Sequence, residues 1–331
     1  DTAWYLVATR QWLEGARLYV DLIEVNPPLN FYLTIPALWL ADGLGLTDSN
    51  GQYLLLSLLI SASLLWVWRI LGQADDLESN TRLGLFLACA AALIFPAVGF
   101  VAQREHVMII LIMPYIFGIL FLPRADFGGS AVARATIAAI GICIKPHFLV
   151  IPIALTGLSL VQTRSIRAFF SHANLTIILI GLAYVFAVSQ LHPEYLNSIV
   201  PMATVVYGDY GFDTTQVVRN MNWPIPLLFL LAAFSTPHFR NDTRMMRLVA
   251  LVIAGIGIYC VQWTGFPYQA LPIHSFVMIG FVWVLLRTQN MKVASLVGAV
   301  LLSLLGVSVY QYGFYQSAST KVFGPILQNE V

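Results

Sequence analysis

Repeated apolar runs constrain this chain more than any other feature, because each approaches the length needed to cross a bilayer. A membrane-spanning helix needs about 20 residues and satisfies its backbone hydrogen bonds internally. The sequence therefore predicts an all-α, polytopic membrane helical bundle with about ten spans, three of which are short or bounded by proline. The predicted spans are 51–71, 83–101, 106–122, 131–144, 147–162, 173–191, 223–236, 247–263, 271–286 and 293–311.

The composition excludes a soluble domain and a nucleic-acid-binding protein. Only 10% of the residues are charged, whereas soluble domains carry about 25%. The net charge of +1 offers no basic surface for nucleic acid. The three cysteines, Cys89, Cys143 and Cys260, lie in apolar runs, so we expect no disulfide framework. We predict a single domain over 1–331, with the transmembrane bundle at 51–311 and the lipid bilayer as its surroundings.

The first 46 residues are the least membrane-like part of the chain. Trp4, Val7, Ala8 and Trp12 recur at helical spacing, which predicts an interfacial amphipathic helix that ends near Gly15. The following apolar stretch is interrupted by proline and is too short to span comfortably, so it is predicted to lie on the membrane surface or to be re-entrant. These residues are therefore expected to form an outer loop.

Basic residues orient the bundle. With the opening loop outside, 11 of the 17 Lys and Arg residues fall on the cytoplasmic side, as the positive-inside rule requires. Of the 16 acidic residues, 11 fall outside. Acidic residues barely influence insertion, so this distribution calls for a functional reason. A second outer loop is predicted at 192–222, where it could lie over a site.

Three acidic residues of the opening loop are candidates for chemistry. Asp1 could act as a general base on an acceptor hydroxyl, although its position alone favours a helix N-cap. Asp21 and Glu24 share a face if they are helical, and could position an acceptor or hold a divalent cation. A solvated polar face explains their spacing equally well.

Two polar clusters interrupt the apolar runs. Gln103, Arg104, Glu105 and His106 stand at a predicted helix start, where four polar residues are costly unless they are used. Arg104 could bind a phosphate bidentately; the alternative is an interfacial Arg–Glu pair with a helix cap.

Lys145–Pro146–His147 separates two short runs. Its lysine could bind a phosphate between two half-helices. It could equally be a snorkelling side chain whose ammonium group reaches water at the end of a helix. Arg219, Tyr268 and His274 are weaker candidates. A lone histidine such as His274 in an apolar helix is more often a packed residue than a ligand. No nucleotide-binding or hydrolase motif is present in the sequence, so the polar residues of the outer face fit a lipid-linked activated substrate best.

The opening pattern D-x(2)-W-x(7)-W-L-E-G-x(2)-L-Y-x-D-x(2)-E-x-N-P-P-L resembles the class C (GT-C) glycosyltransferases. It is most similar to the bacterial relatives of protein O-mannosyltransferases and of the lipid A aminoarabinose transferase. The resemblance implies that Asp1 is the catalytic base, that 3–14 and 28–41 are two interfacial helices, and that a first span precedes Asp1. Many relatives carry Asp-Glu at the catalytic position, whereas Thr2 follows Asp1 here.

Weaker matches extend along the chain. Arg104 and Glu105 match a charged motif at the outer start of a later helix. Lys145 and Pro146 match a Lys-Pro turn that would face the lipid phosphate. The segment FPYQALP at 266–272 resembles an element near the last helices of the family.

The resemblance implies a glycosyltransferase of the bacterial inner membrane whose site faces the periplasm or the cell exterior. It would move a sugar, with inversion, from a polyprenyl-phosphate-linked donor to a hydroxyl of a lipid, glycan or protein acceptor. No cofactor is required, and a divalent cation is left open. The implied roles are catalysis for Asp1, acceptor or metal binding for Asp21, Glu24 and Asn26, and donor phosphate binding for Arg104, Glu105, His106, Lys145 and His147.

Two alternatives remain at this stage. A transporter or lipid-glycan flippase would use the same polar residues as a pathway, and should show inverted repeats with charges near the midplane. Neither feature is visible in the sequence, since the charges gather at the outer helix ends. A non-catalytic assembly subunit would tolerate single replacements of its polar loop residues.

Overall fold

The computed structural model describes residues 2–122, 127–209, 213–236 and 239–288, together with 297–298 and 301. These residues are helical apart from turns, loops and one isolated bridge between Leu18 and Leu22, which confirms the all-α prediction. The helices are α1 (Thr2–Leu13), α2 (Leu29–Leu44), α3 (Asp48–Gly72), α4 (Ser79–Ile94), α5 (Arg104–Phe121), α6 (Gly129–Cys143), α7 (Val150–Thr163), α8 (His172–Leu191), α9 (Val200–Asp209), α10 (Thr214–Asn220), α11 (Pro224–Phe234), α12 (Thr243–Gln262) and α13 (Leu271–Arg287).

The described helices do not support ten spans. Six are long and apolar enough to cross a membrane, or seven if α10 and α11, which meet at 58°, form one broken span. The runs 83–101 and 131–144 form helices of only 16 and 15 residues, α4 and α6. Apolar composition alone therefore overestimates the count, because an apolar run need not be helical along its whole length. The run at 293–311 lies almost wholly outside the described residues.

Helix α5 is the centre of the bundle. It is buried along almost its whole length, with α3, α6 and α13 packed against it. Hydroxyl groups join the neighbouring helices: Ser63 on α3 donates to the Ile110 carbonyl of α5 at 2.8 Å. Because α5 is packed on all sides, the side chains of its first turn are held in position, and that turn begins at Arg104.

The two predicted helices of the opening segment are present as α1 and α2. Gly15 ends the α1 region with a φ of +111°, which favours glycine. Arg10 of α1 binds Asp42 near the end of α2 at 2.6 Å and Asp48 at the start of α3 at 2.5 Å. These ion pairs hold the opening segment against the bundle.

The protein-facing side of α1 includes only part of the predicted stripe, because Ala8 is buried and Trp12 is partly buried. Tyr5 and Ala8 are buried, whereas Trp4 and Val7, both assigned to the apolar face, are among the exposed large side chains. Tyr5 packs edge-on against Phe31 of α2, with 5.0 Å between ring centroids. Packing against α2 therefore selects the protein-facing side, and the Trp4–Val7 side is left outward.

The second predicted outer loop packs against the opening segment. After α8 the chain forms a π-helical turn at Tyr195–Ile199 and continues into α9. The Tyr32 hydroxyl and His192 Nε2 form a hydrogen bond of 2.8 Å. The ring centroids of Tyr19 and Tyr195 lie 5.0 Å apart. This aromatic contact positions the Tyr195–α9 segment next to the opening segment.

Candidate functional site

A cavity of about 330 Å³ opens at the amino-terminal end of α5. Five parts of the chain meet there: 25–27, the first residue of α5, 145–147, 195–204 and 262–269. The cavity contains side chains from both predicted outer segments and from the interrupted run at Lys145. It therefore brings together residues that are far apart in the sequence.

Arg104 lines this cavity and is buried at the first turn of α5. Its Nη1 donates to the Tyr5 hydroxyl at 2.7 Å, and its guanidinium lies 5.6 Å from the Tyr5 ring centroid. Burial raises the pKa of Tyr5, Arg104 opposes that rise, and the nearby Glu24 carboxylate adds to it. The phenol therefore stays neutral, and the contact joins α1 to the start of α5.

Glu105 and Lys145 form a buried ion pair beside the cavity. The Lys145 Nζ lies 2.5 Å from Glu105 Oε1, and both side chains are less than a tenth exposed. Lys145 stands just before a short 3₁₀ turn at Pro146–Leu149, so the predicted break between two half-helices is present. A snorkelling lysine would reach solvent; Lys145 instead lines the cavity.

Glu24 and Asn26 form a second polar cluster next to Tyr5. Glu24 Oε2 accepts from the Trp4 indole at 2.9 Å, and its Oε1 accepts from the Asn26 backbone N–H at 2.9 Å and from the Asn26 side chain. The Tyr19 hydroxyl donates to the Asn26 carbonyl at 2.8 Å. These bonds fix Asn26, which lines the cavity.

Asp21 is separate from this cluster. The segment between α1 and α2 is a turn rather than a helix, so Asp21 and Glu24 do not share a helical face. Asp21 is exposed and accepts from the Arg17 backbone N–H at 2.8 Å and from the Arg17 side chain, and these bonds lower its pKa. Among the described residues no group of three or more His, Cys, Asp or Glu is placed to hold a metal ion.

His106 points away from the cavity. Its Nε2 lies 2.7 Å from the Leu93 carbonyl, and its Nδ1 accepts from the Ala102 backbone N–H at 3.3 Å. Residues two apart on a helix do not face the same side, which explains why His106 diverges from Arg104. Both of its ring nitrogens are engaged, so we leave His106 out of the proposed phosphate site.

The remaining predicted residues divide into two groups. His147 and Tyr268 line the cavity, and the Tyr268 ring centroid lies 5.7 Å from the Lys145 Nζ. Arg219 on α10 and His274 on α13 do not line it. Asp1, the predicted catalytic base, lies outside the described residues. Its neighbour Thr2 donates to the Val101 carbonyl at 3.2 Å, which places the start of α1 beside the loop that leads into α5.

Five polar residues of the cavity were not predicted from the sequence: Tyr195, Thr204, Gln262, Thr264 and Gln269. Gln262 Oε1 accepts from Lys145 Nζ at 3.2 Å and from Gln269 Nε2 at 3.0 Å. Gln269 lies within FPYQALP, a segment that the family resemblance highlighted only for its pattern. Uncharged amides at the end of an apolar helix give a weak sequence signal because they cost little at a membrane surface.

A second cavity of about 240 Å³ lies behind Tyr5 and is lined mainly by apolar side chains of α2, α3, α5 and α6. Tyr5 contributes to its wall, while the Tyr5 hydroxyl binds Arg104 of the first cavity. The hydrogen bond between Tyr5 and Arg104 therefore links the walls of the two cavities.

Comparison with models of known families, with curated proteins and with solved structures found no match to this chain.

Proposed function

We propose that this protein is a membrane glycosyltransferase that moves a sugar from a polyprenyl-phosphate donor to an acceptor hydroxyl on the extracytoplasmic face. The observation that carries the proposal is a cavity at the amino-terminal end of α5 that is lined by both Arg104 and Lys145. The resemblance of the opening segment to class C glycosyltransferases supports the reaction type. Inner-membrane location and an outward-facing site follow from the same resemblance and from the distribution of basic residues.

The two cations supply the phosphate-binding end of the proposed site. Arg104 offers a planar set of donors and Lys145 a compact charge, a combination suited to a phosphodiester. Both are held by buried neighbours, Arg104 by the Tyr5 hydroxyl and Lys145 by Glu105. Donors held in place before the reaction stabilise developing negative charge without reorganising. The leaving phosphate is the group that develops this charge.

The apolar cavity behind Tyr5 supports a lipid-linked donor. It is formed by helices of the bundle, and isoprene units beside the phosphate need such apolar surroundings. Tyr5, which contributes to its wall and binds Arg104, lies where the phosphate and the lipid chain would join.

The proposed transfer of the sugar needs no cofactor. Asp1 takes the proton of the acceptor hydroxyl, and the oxygen attacks the anomeric carbon from the side opposite the phosphate. The bond from that carbon to the phosphate oxygen breaks, and polyprenyl phosphate leaves with the electron pair. The new glycosidic bond has the inverted configuration. Glu24 and Asn26 would position the acceptor.

Decaprenyl phosphate binding tests the phosphate site. We expect Arg104→Gln to weaken binding of decaprenyl phosphate by about 10–100-fold, because a charge-assisted hydrogen bond of about 1.5–3 kcal/mol is lost. Titration of tryptophan fluorescence in lipid nanodiscs measures it, with decaprenol as the uncharged comparison. Arg17→Gln, an exposed arginine paired with Asp21, is the matched control. Equal affinity for decaprenol and decaprenyl phosphate would contradict the site.

The pH dependence of the same binding reports on Lys145. Burial lowers its pKa to about 8, and the Glu105 carboxylate opposes this shift. The lysine is charged below that pH and neutral above it, so affinity for decaprenyl phosphate should fall as the pH rises through 8. A guanidinium stays charged, so Lys145→Arg should abolish this fall. A decline that is identical in both proteins would exclude Lys145 as its source.

A further inference from the structure

Gln269, which lines the proposed donor cavity, has a side-chain amide oxygen that is buried and has no hydrogen-bond partner among the described residues. Gln269 lies on the 3₁₀ turn Pro267–Ala270 and is only 3% exposed. Its Nε2 donates to Gln262 Oε1 at 3.0 Å and to Thr264 Oγ1 at 2.7 Å. Its Oε1 is buried and has no hydrogen-bond partner in the part of the chain that the structure describes.

The orientation of this amide follows from chemistry. Lys145 can only donate, so the Gln262 atom that faces it at 3.2 Å must be the oxygen. The Gln262 nitrogen then faces the Ile258 carbonyl at 3.4 Å, as expected for a donor. The Gln269 atom that meets the same Gln262 oxygen must therefore be its nitrogen. The oxygen of Gln269 is therefore the atom without a partner among the described residues.

An unpaired buried acceptor is costly, about 1–3 kcal/mol, and native proteins rarely retain one without a role. Gln269 lines the same cavity as Arg104 and Lys145. A ligand that fills this cavity can satisfy the acceptor if it carries a neutral O–H or N–H. The phosphodiester that joins a lipid to a sugar carries no such group at neutral pH, whereas the sugar itself carries several.

We infer that Gln269 Oε1 accepts a hydrogen bond from a hydroxyl or amide N–H of the donor sugar, and that Gln269 is a specificity-determining residue for that sugar. This inference rests on the proposed function, because it takes the ligand to be a lipid-phosphate sugar. Lys145, Gln262 and Gln269 then form one chain in which the phosphate-binding cation fixes the sugar-binding amide. Phosphate and sugar are recognised by adjacent groups.

Binding of decaprenyl phosphate and of its glucose, mannose, N-acetylglucosamine and arabinose esters tests the inference in nanodiscs. We expect Gln269→Met to weaken binding of at least one ester about 5–10-fold, as loss of one neutral hydrogen bond predicts. Binding of decaprenyl phosphate itself should change less than about twofold by the same reasoning. Gln190→Met, the same change at an exposed position of α8, should alter neither.

Deoxy esters provide a test that needs no variant. In the wild-type protein, removal of the bonded hydroxyl should cost the same factor as Gln269→Met, and the variant should lose no further affinity for that deoxy ester. If every deoxy ester binds as its parent does, or if Gln269→Met weakens the esters and decaprenyl phosphate equally, the inference is overturned. Binding of decaprenyl phosphate without binding of any ester overturns the inference but leaves the phosphate site standing. Absence of all binding overturns both.

Discussion

Asp1→Asn should reduce sugar transfer by about 10²–10⁴-fold, the range that a general base contributes. The amide cannot take the acceptor proton, so the acceptor oxygen would attack as a poor nucleophile. Binding of the donor should be unchanged, since the proposed phosphate contacts come from Arg104 and Lys145. The measurement is the rate at which polyprenyl phosphate is released from a polyprenyl-phosphate sugar in nanodiscs, paired with donor affinity in the same preparation.

Two controls make this result specific. Asp21→Asn changes a carboxylate that is exposed and outside the cavity, and it should leave the rate within about twofold because such surface positions interact weakly. Glu24→Gln changes a carboxylate that holds Asn26, and it should reduce the rate because the acceptor is positioned less well. Full transfer by the Asp1→Asn protein would remove Asp1 as the base.

Glu105→Gln should be the most destabilising of the conservative changes at the site. The variant leaves the Lys145 ammonium buried without a counter-charge, and breaking a buried ion pair in this way costs about 3–5 kcal/mol. The Glu105 side chain is fully buried and the Lys145 side chain nearly so, which is why solvent cannot replace the lost partner. A fall in the melting temperature of the detergent-solubilised protein measures the effect.

A double-mutant comparison separates charge from packing. Replacing both partners, as in Glu105→Gln with Lys145→Met, removes the uncompensated charge and should be less destabilising than Glu105→Gln alone. The exposed Arg17–Asp21 pair serves as the matched comparison, because solvent screens it and Asp21→Asn should therefore lower the melting temperature much less than Glu105→Gln does. If the destabilisation of the double variant, relative to the wild-type protein, equals the sum of the two single destabilisations, the two residues do not interact energetically.

The sequence predicted the charged residues of the cavity better than its neutral ones. Arg104 and Lys145 are conspicuous because charge inside an apolar run is costly, and both line the cavity. Gln262 and Gln269 carry no charge, so nothing in their spacing distinguishes them from ordinary helix ends. The sequence pattern also did not predict the directions of neighbouring side chains. Arg104 and His106 were both assigned to the phosphate site, but on the helix they point in different directions, and only Arg104 lines the cavity.

The fold was predicted in class but not in the number of spans. Apolar runs identify helices, yet their ends depend on local turns that hydropathy does not register. The run at 83–101 shows this, because α4 ends at Ile94 and the residues that follow form turns before α5. In the opening segment the two predicted helices are present, although packing of Tyr5 on Phe31 decided which face of α1 is buried.

Release of polyprenyl phosphate by the wild-type protein is the most direct test of the central claim. The protein would be supplied in nanodiscs with decaprenyl-phosphate sugars and a cell-envelope extract as the source of acceptors. We expect at least one sugar to be transferred, with release of one decaprenyl phosphate per sugar and inversion at the anomeric carbon. Movement of an intact lipid-linked sugar across the bilayer, with no release by the wild-type protein, would contradict the claim and identify a transporter.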